Sequence, residues 1–177
     1  MYARLPKERI GVAIGPSGEV KREIERRTGT KLILDSETGQ VKIDVVGDDP
    51  LGGLNAREVL RAIARGFSSE RAFRLFEEDQ LLETIDIREF AGRSEKALVR
   101  LKGRAIGEGG KARRILEETT DAYVSIYGKT ISLIGTAEQL AVTREAVEML
   151  LGGAKHSTVY RFLERKRRAM KRRAVLR

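Results

Sequence analysis

Two stretches of the chain repeat one another at a fixed offset of 92 residues, and this limits the fold more than any other feature. Gly15 falls on Gly107, Gly18 on Gly110, Lys21 on Arg113, Ile24 on Leu116 and Thr28 on Thr120. Leu32 and Leu34 fall on Val124 and Ile126, and after a connection four residues shorter in the second copy, Gly47 falls on Gly135. Two copies are too few for a solenoid, whose units bury their faces only against several neighbours. The expectation is two similar supersecondary units, each with its own core.

The local grammar of the first copy is explicit. Tyr2–Leu5 reads as a short strand, and Pro6 suits the first turn of a helix. Gly15-Pro-Ser-Gly18 forms a G-x-x-G turn, and from Glu19 to Arg27 a helix carries Val20 and Ile24 on one face. Thr28-Gly29 ends it, the glycine supplying a left-handed cap. Lys31–Leu34 and Val41–Val46 read as strands. Gly47–Pro50 then opens a helix with Leu51, Leu54, Val59, Leu60 and Ile63 on its core side. In the second copy a strand around Thr84–Ile87 comes first, and helical turns over Ser94–Leu101 precede the loop. A closing helix at 136–151 carries Leu140, Val147, Leu150 and Leu151. The predicted fold class is α+β, with β-α-α-β-β-α order and a three-stranded sheet covered by helices on one face. Its units span 1–65 and 81–153, with a helical link over 66–80 and a basic helix over 154–177.

Charge has to be divided before it is informative. The net charge is +9, yet residues 1–153 hold 25 basic and 25 acidic side chains. Residues 154–177 hold ten basic side chains against Glu164 alone, so the whole excess lies in the tail. Within the tail, Val159, Phe162, Leu163 and Met170 form an apolar helical stripe, and Arg161, Arg165, Arg168 and Arg172 a basic one. The apolar side is expected to pack on the body and the basic side to add phosphate-backbone contacts. There is no cysteine and one histidine, His156, which argues against disulfides, a zinc site or a Cys/His nucleophile pair. His156 reads as a surface or capping residue. The only raw material for a metal site is acidic, at Asp44, Asp48, Asp49 and Glu77–Asp79, and such residues more often cap helices or stay solvated. Scarce Asn and Gln beside abundant charge suggest a thermophile. With no membrane-length apolar run and no signal-peptide pattern, a cytoplasmic protein without cofactor, metal or membrane partner is expected.

The second glycine turn, Arg104-Ala-Ile-Gly-Glu-Gly-Gly-Lys111, suits a phosphate chemically. Its glycines let backbone approach a ligand closely, and the helix that follows presents unpaired N–H groups. A Walker loop would need glycine at Ala105 and Ser or Thr at Ala112, so both positions fail. A dinucleotide fold needs a strand leading into the loop, where a helix stands here. A purely structural role in tight helix–helix turns would not call for the duplication with repeated threonine helix ends. Around the second loop, residues 100–114 carry a local excess of five positive charges, against one in residues 8–22.

A helix–GxxG–helix corner followed by two strands resembles the type I KH domain. The resemblance rests on Ala13–Ile24 with Thr28-Gly29, and on Ala105–Leu116 with Thr120. It implies clamping of about four nucleotides of single-stranded nucleic acid along each loop. The implied RNA-binding residues are Ile14, Gly15, Pro16, Ser17, Gly18, Lys21 and Arg22 in the first copy. In the second they are Arg104, Ile106, Gly107, Glu108, Gly109, Gly110, Lys111, Arg113 and Arg114. The base groove would be lined by Ile14, Val20, Leu32 and Leu34, and by Ile106, Ala112, Val124 and Ile126. KH loops often carry Lys or Arg at the two variable positions, whereas this chain has Pro16-Ser17 and Glu108-Gly109. The flanking cations favour the second unit as the principal grip.

From Glu83 to Gly92, from Arg100 to Lys111 and from Gly152 to Glu164 the chain resembles archaeal two-KH relatives of the eukaryotic partner-of-NOB ribosome assembly factor. Eukaryotic relatives tend to have a degenerate first GxxG, so the intact Gly15–Gly18 turn favours an archaeal source. The resemblance implies a non-enzymatic factor at the 3′ region of small-subunit rRNA. Its implied partners are the endonuclease that trims this end and the alpha subunit of initiation factor two. The alternatives are a general RNA-binding translational regulator and a metal-dependent nuclease.

Overall fold

A computed structural model describes residues 1–177. The chain divides into two compact units, residues 1–82 and 83–177.

In the first unit the elements run β1 (Tyr2–Arg4), α1 (Lys7–Ile14), α2 (Glu19–Thr28), β2 (Thr30–Leu34), β3 (Gln40–Val45) and α3 (Gly52–Ala64). The sheet order is β1-β3-β2. β3 is antiparallel to both neighbours, with Leu32 opposite Ile43 and Leu34 opposite Val41. Alternation along the strands buries Leu32, Val41 and Ile43 beneath the helices and leaves Ile33 about half exposed on the other face, while Val45, at the end of β3 on the helix side, is also about half exposed. Ile24 of α2 and Val59, Leu60 and Ile63 of α3 close the core. The stripe expected on α3 is narrower than its sequence suggests, because Leu51 and Leu54 lie at its exposed entry.

Residues 66–80 are helical in part, as α4 (Ser69–Ala72) and a 3₁₀ turn at Phe73–Phe76. Ser68 caps α4 by accepting from the Arg71 amide. Phe67, Ala72 and Leu75 are buried, and the Arg27 guanidinium of α2 stacks 4.9 Å from the Phe76 ring centre. These contacts hold the segment on the first unit.

The second unit repeats the plan with additions. β4 (Leu81–Asp86) is followed by a single turn, α5 (Arg88–Ala91), and by α6 (Glu95–Ile106). Then come α7 (Lys111–Thr120), β5 (Tyr123–Tyr127), β6 (Thr130–Gly135), α8 (Ala137–Leu151) and α9 (His156–Val175). The sheet order is β4-β6-β5, the same as in the first unit. Ser94 caps α6, and Thr136 with Gln139 forms a reciprocal capping box on α8.

The basic C-terminal helix belongs to this core. Val159, Phe162 and Leu163 are buried in one cluster with Ile85, Leu101, Leu116, Leu133 and Leu150, and Met170 packs against it. Each such side chain contributes about 1.5–3 kcal/mol by leaving water. The apolar stripe of α9 is thus a structural face, and its arginines are left on the outside.

Candidate nucleic-acid interface

The two glycine turns have nearly the same backbone. Gly15 and Gly107 sit at φ/ψ of 73°/173° and 75°/171°, and Gly18 and Gly110 at 76°/16° and 78°/13°. The third loop position is left-handed in both, at 54°/24° for Ser17 and 60°/22° for Gly109. A Cβ on Gly107 would lie 2.6 Å from the Ala112 amide nitrogen, and one on Gly15 would lie 2.4 Å from a Val20 methyl carbon. Only glycine fits where the helix turns back so tightly. Two side chains repeat the geometry: the Arg22 guanidinium donates to the Ser17 carbonyl at 2.7 Å, and Arg114 donates to the Gly109 carbonyl at 2.8 Å. Each arginine ties the loop to the first turns of the helix that follows it. One difference favours the second loop chemically, since Pro16 has no N–H where Glu108 supplies one.

The helix that follows each loop is tied to the sheet by the same two devices. Thr28 and Thr120 hydroxyls donate to the carbonyls of Ile24 and Leu116, both at 2.7 Å. Glu25 and Glu117 carboxylates accept from the amides of Leu32 and Val124 at 2.9 and 3.0 Å. β2 and β5 are edge strands, so these carboxylates satisfy N–H groups that would otherwise face another chain.

The site residues divide once their partners are known. Ile14, Val20 and Leu34 are half-buried beside the first loop, and Ile106 and Ile126 keep accessible surface beside the second. Leu32, Ala112 and Val124 do not line a groove: their exposures are 1%, 0% and 1%. Leu32 and Val124 lie on the strand face beneath the helices and Ala112 in the first turn of α7 against Gly107, so none of the three is open to a base.

Pro16, Ser17 and Arg22 are exposed and Lys21 half-buried; Glu108, Gly109, Lys111 and Arg114 are exposed at the second loop. Arg113 pairs with Glu117 at 3.3 Å. Arg104 points away from the loop: its Nε donates to the Leu150 carbonyl at 2.8 Å and its Nη2 to the Ala154 carbonyl. It braces the end of α8 against α6. Arg9 does the same in the first unit, donating to the carbonyls of Ile63 and Phe67 at 2.8 and 2.6 Å.

Side chains that the loop motif does not point to also reach this region. The His156 ring donates from Nε2 to the Arg104 carbonyl at 3.0 Å, so it caps α6. Tyr160, one turn further along α9, has the Lys111 ammonium 6.0 Å from its ring centre. No periodicity within α6 or the loop could announce them. Their one signal is that His156 and Tyr160 share the face that carries the buried Val159 and Leu163 stripe towards α6 and α7.

A sheet of order β1-β3-β2 with a GxxG corner between its first two helices, present twice, defines a tandem type I KH protein, a class of RNA-binding domain. Residues 81–168 match the eukaryotic type KH domain (KH domain type I) family, and residues 3–62 match the KH domain family. Over 171 residues the chain is 46% identical to a KH domain-containing protein of Methanocaldococcus jannaschii, covering 96% of this chain and 74% of that one. A crystallised protein of unknown function from Aeropyrum pernix is 47% identical with a TM-score of 0.93, over 99% of this chain and 94% of that one. Dim2p from Pyrococcus horikoshii is 47% identical with a TM-score of 0.87, over 93% and 98%. A third structure, of the a/eIF2alpha–aDim2p–rRNA complex from the same organism, matches at 46% identity and a TM-score of 0.90, over 96% and 94%. The chain belongs to the Dim2p/PNO1-like family of two-KH-domain proteins.

Proposed function

We propose that this protein binds single-stranded RNA at the 3′ region of small-subunit rRNA and acts in the cytoplasm as a non-enzymatic maturation factor, with the second KH unit as its main grip. The observation that carries the reading is the Gly107–Gly110 turn. Its Glu108 and Gly109 positions are exposed, its fold is held from behind by Arg114, and Lys111 stands free of carboxylates at the start of α7. A phosphate on such a loop meets backbone amides, the positive end of a helix and a mobile ammonium group together. The first loop shares the backbone but carries Pro16 and Glu19 where the second has Glu108 and Lys111, so it contributes less.

The rRNA assignment is supported by the Pyrococcus horikoshii relative, whose complex contains a/eIF2alpha and rRNA. By the same support, initiation factor two alpha subunit is a partner of this chain, and the 3′-end endonuclease is a second one through the family resemblance. A competition between the 3′-terminal rRNA segment and scrambled RNA of equal length tests the assignment. Preference for the rRNA segment, lost in Gly109→Asp, is expected. Equal binding of both RNAs would leave RNA binding in place and remove the rRNA role.

A further inference from the structure

Beside the second loop lies an open depression of about 480 Å³, lined by Arg100, Arg104, Glu108, Lys111, His156 and Tyr160 together with Gly103 and Gly107. Its volume is within the range of small-ligand pockets and suits one nucleotide. We propose that it is a further nucleotide subsite of the second KH unit, which takes the residue flanking the loop-bound segment. The flanking base lies on the Tyr160 ring and its phosphate between Arg100 and Lys111. This rests on the RNA-binding reading of the loop and extends it onto α9.

Gly107 and Glu108 belong both to the loop and to the rim of the depression, so a strand clamped on the loop enters it without a gap. Arg100, Gly103, Arg104 and Gly107 are spaced along one face of α6, whereas Ile106 lies on another and serves the base groove. The loop therefore separates two surfaces, and a strand crossing it can touch both.

Arg100 is exposed on α6 and forms no ion pair, and Lys111 is engaged only by the Tyr160 ring. Tyr160 is half-buried, its ring edge-on to His156 at 6.1 Å between centres. His156 is itself held by the Arg104 carbonyl, and Arg104 by the end of α8. An aromatic ring fixed in this way costs little entropy when a base stacks on it. Cations beside an aromatic platform are the usual means of holding single-stranded nucleic acid. Glu108 is the only acid of the lining, so the depression keeps a positive balance.

The duplication supplies an internal comparison. Ninety-two residues earlier the counterparts of Arg100, Arg104, Glu108 and Lys111 are Glu8, Val12, Pro16 and Glu19. The loop backbones coincide within a few degrees, yet the charges beside them are reversed at two positions. A requirement of the fold would be met in both copies. This one is met only where α9 brings its tyrosine.

Anisotropy titrations of the full chain with labelled randomised RNAs of about four and about eight nucleotides test the subsite, since a KH loop by itself spans about four. Tyr160→Leu keeps apolar bulk and removes the stacking face; it is expected to weaken the longer RNA about tenfold and leave the shorter unchanged. Arg100→Gln, on an exposed position outside the core, is expected to flatten the salt dependence for the longer RNA by roughly 0.7 log units per log unit. It also decides the matter if Tyr160→Leu does not fold. Unchanged binding of the longer RNA by Arg100→Gln and by any folded Tyr160→Leu overturns the subsite, and so does an equal loss for both lengths. Gly109→Asp separates this from the loop reading. If it leaves both RNAs bound while Tyr160→Leu weakens the longer, the loop reading fails, and the depression stands as an RNA contact that the loop does not feed.

Discussion

Arg104 is the position where a loop-flanking cation and a structural brace predict opposite phenotypes. Replacing it by Met keeps an unbranched apolar stem and removes the guanidinium that spans the carbonyls of Leu150 and Ala154. A hydrogen bond from a charged donor contributes about 1.5–3 kcal/mol, and stranded acceptors cost about as much. The site is half-buried, and the Leu150 carbonyl also accepts from the Gly153 amide at 3.3 Å, so the lower end applies. The expected loss is about 2–3 kcal/mol for Arg104→Met. For a domain of this size that lowers the unfolding temperature by roughly 10–20 °C. Arg104→Lys recovers only part of it, because a point charge cannot bridge two carbonyls as a planar fork does. Calorimetry on the full chain measures the shift, and an RNA titration at 25 °C, where the variant stays folded, measures affinity. Affinity should change less than about threefold. An unaltered unfolding temperature with a tenfold loss of RNA affinity would refute the brace and return Arg104 to the binding surface.

Three further outcomes follow from the geometry. Gly107→Ala forces a side chain into a glycine-only backbone region against the Ala112 amide and should cost about 3 kcal/mol. Gly109→Ala, left-handed but open to solvent, should cost about 1 kcal/mol, and denaturant unfolding separates the two. Hydrogen bonds from Arg26 and Arg27 hold the Glu23 carboxyl down at about 2 from the ordinary 4.5. A carboxyl depressed in the folded state stabilises above its unfolded value, so its contribution is complete above pH 4.5 and is lost as pH falls towards 2. Glu23→Gln should therefore flatten the acid limb of the stability curve in that window, modestly because the pair is exposed. Arg165, Arg168 and Arg172 are exposed on α9 and outside its ion pairs, which use Arg167 and Arg173. Changing all three to Gln should leave unfolding unaltered and reduce the salt slope of RNA binding by roughly 0.7 for each phosphate contact removed.

The architecture was legible in the chain because it is written in short-range terms. Helix ends at Thr28-Gly29 and Thr120, tight turns at Gly15–Gly18 and Gly107–Gly110, and alternation in the strands all depend on neighbours within a few positions. Repetition at 92 residues writes each of these signals twice. Apolar spacing also marked Val159, Phe162 and Leu163 as a buried stripe of α9, which joins the second core.

What escaped the sequence depends on separation. Arg104 looks like a loop cation because its partners, Leu150 and Ala154, lie 46 and 50 residues away. Leu32 and Val124 share a strand face with accessible neighbours, and only the placement of α2 and α7 above them decides that they are core. His156 and Tyr160 stand more than 45 positions beyond the glycine turn they flank. Alone, then, the sequence determined the two KH units and their glycine turns, since backbone conformation and periodicity are local properties. Only the tertiary structure decided which cations stay exposed beside the turns and which hold helices together, because a guanidinium is assigned by the carbonyls that folding brings within its reach.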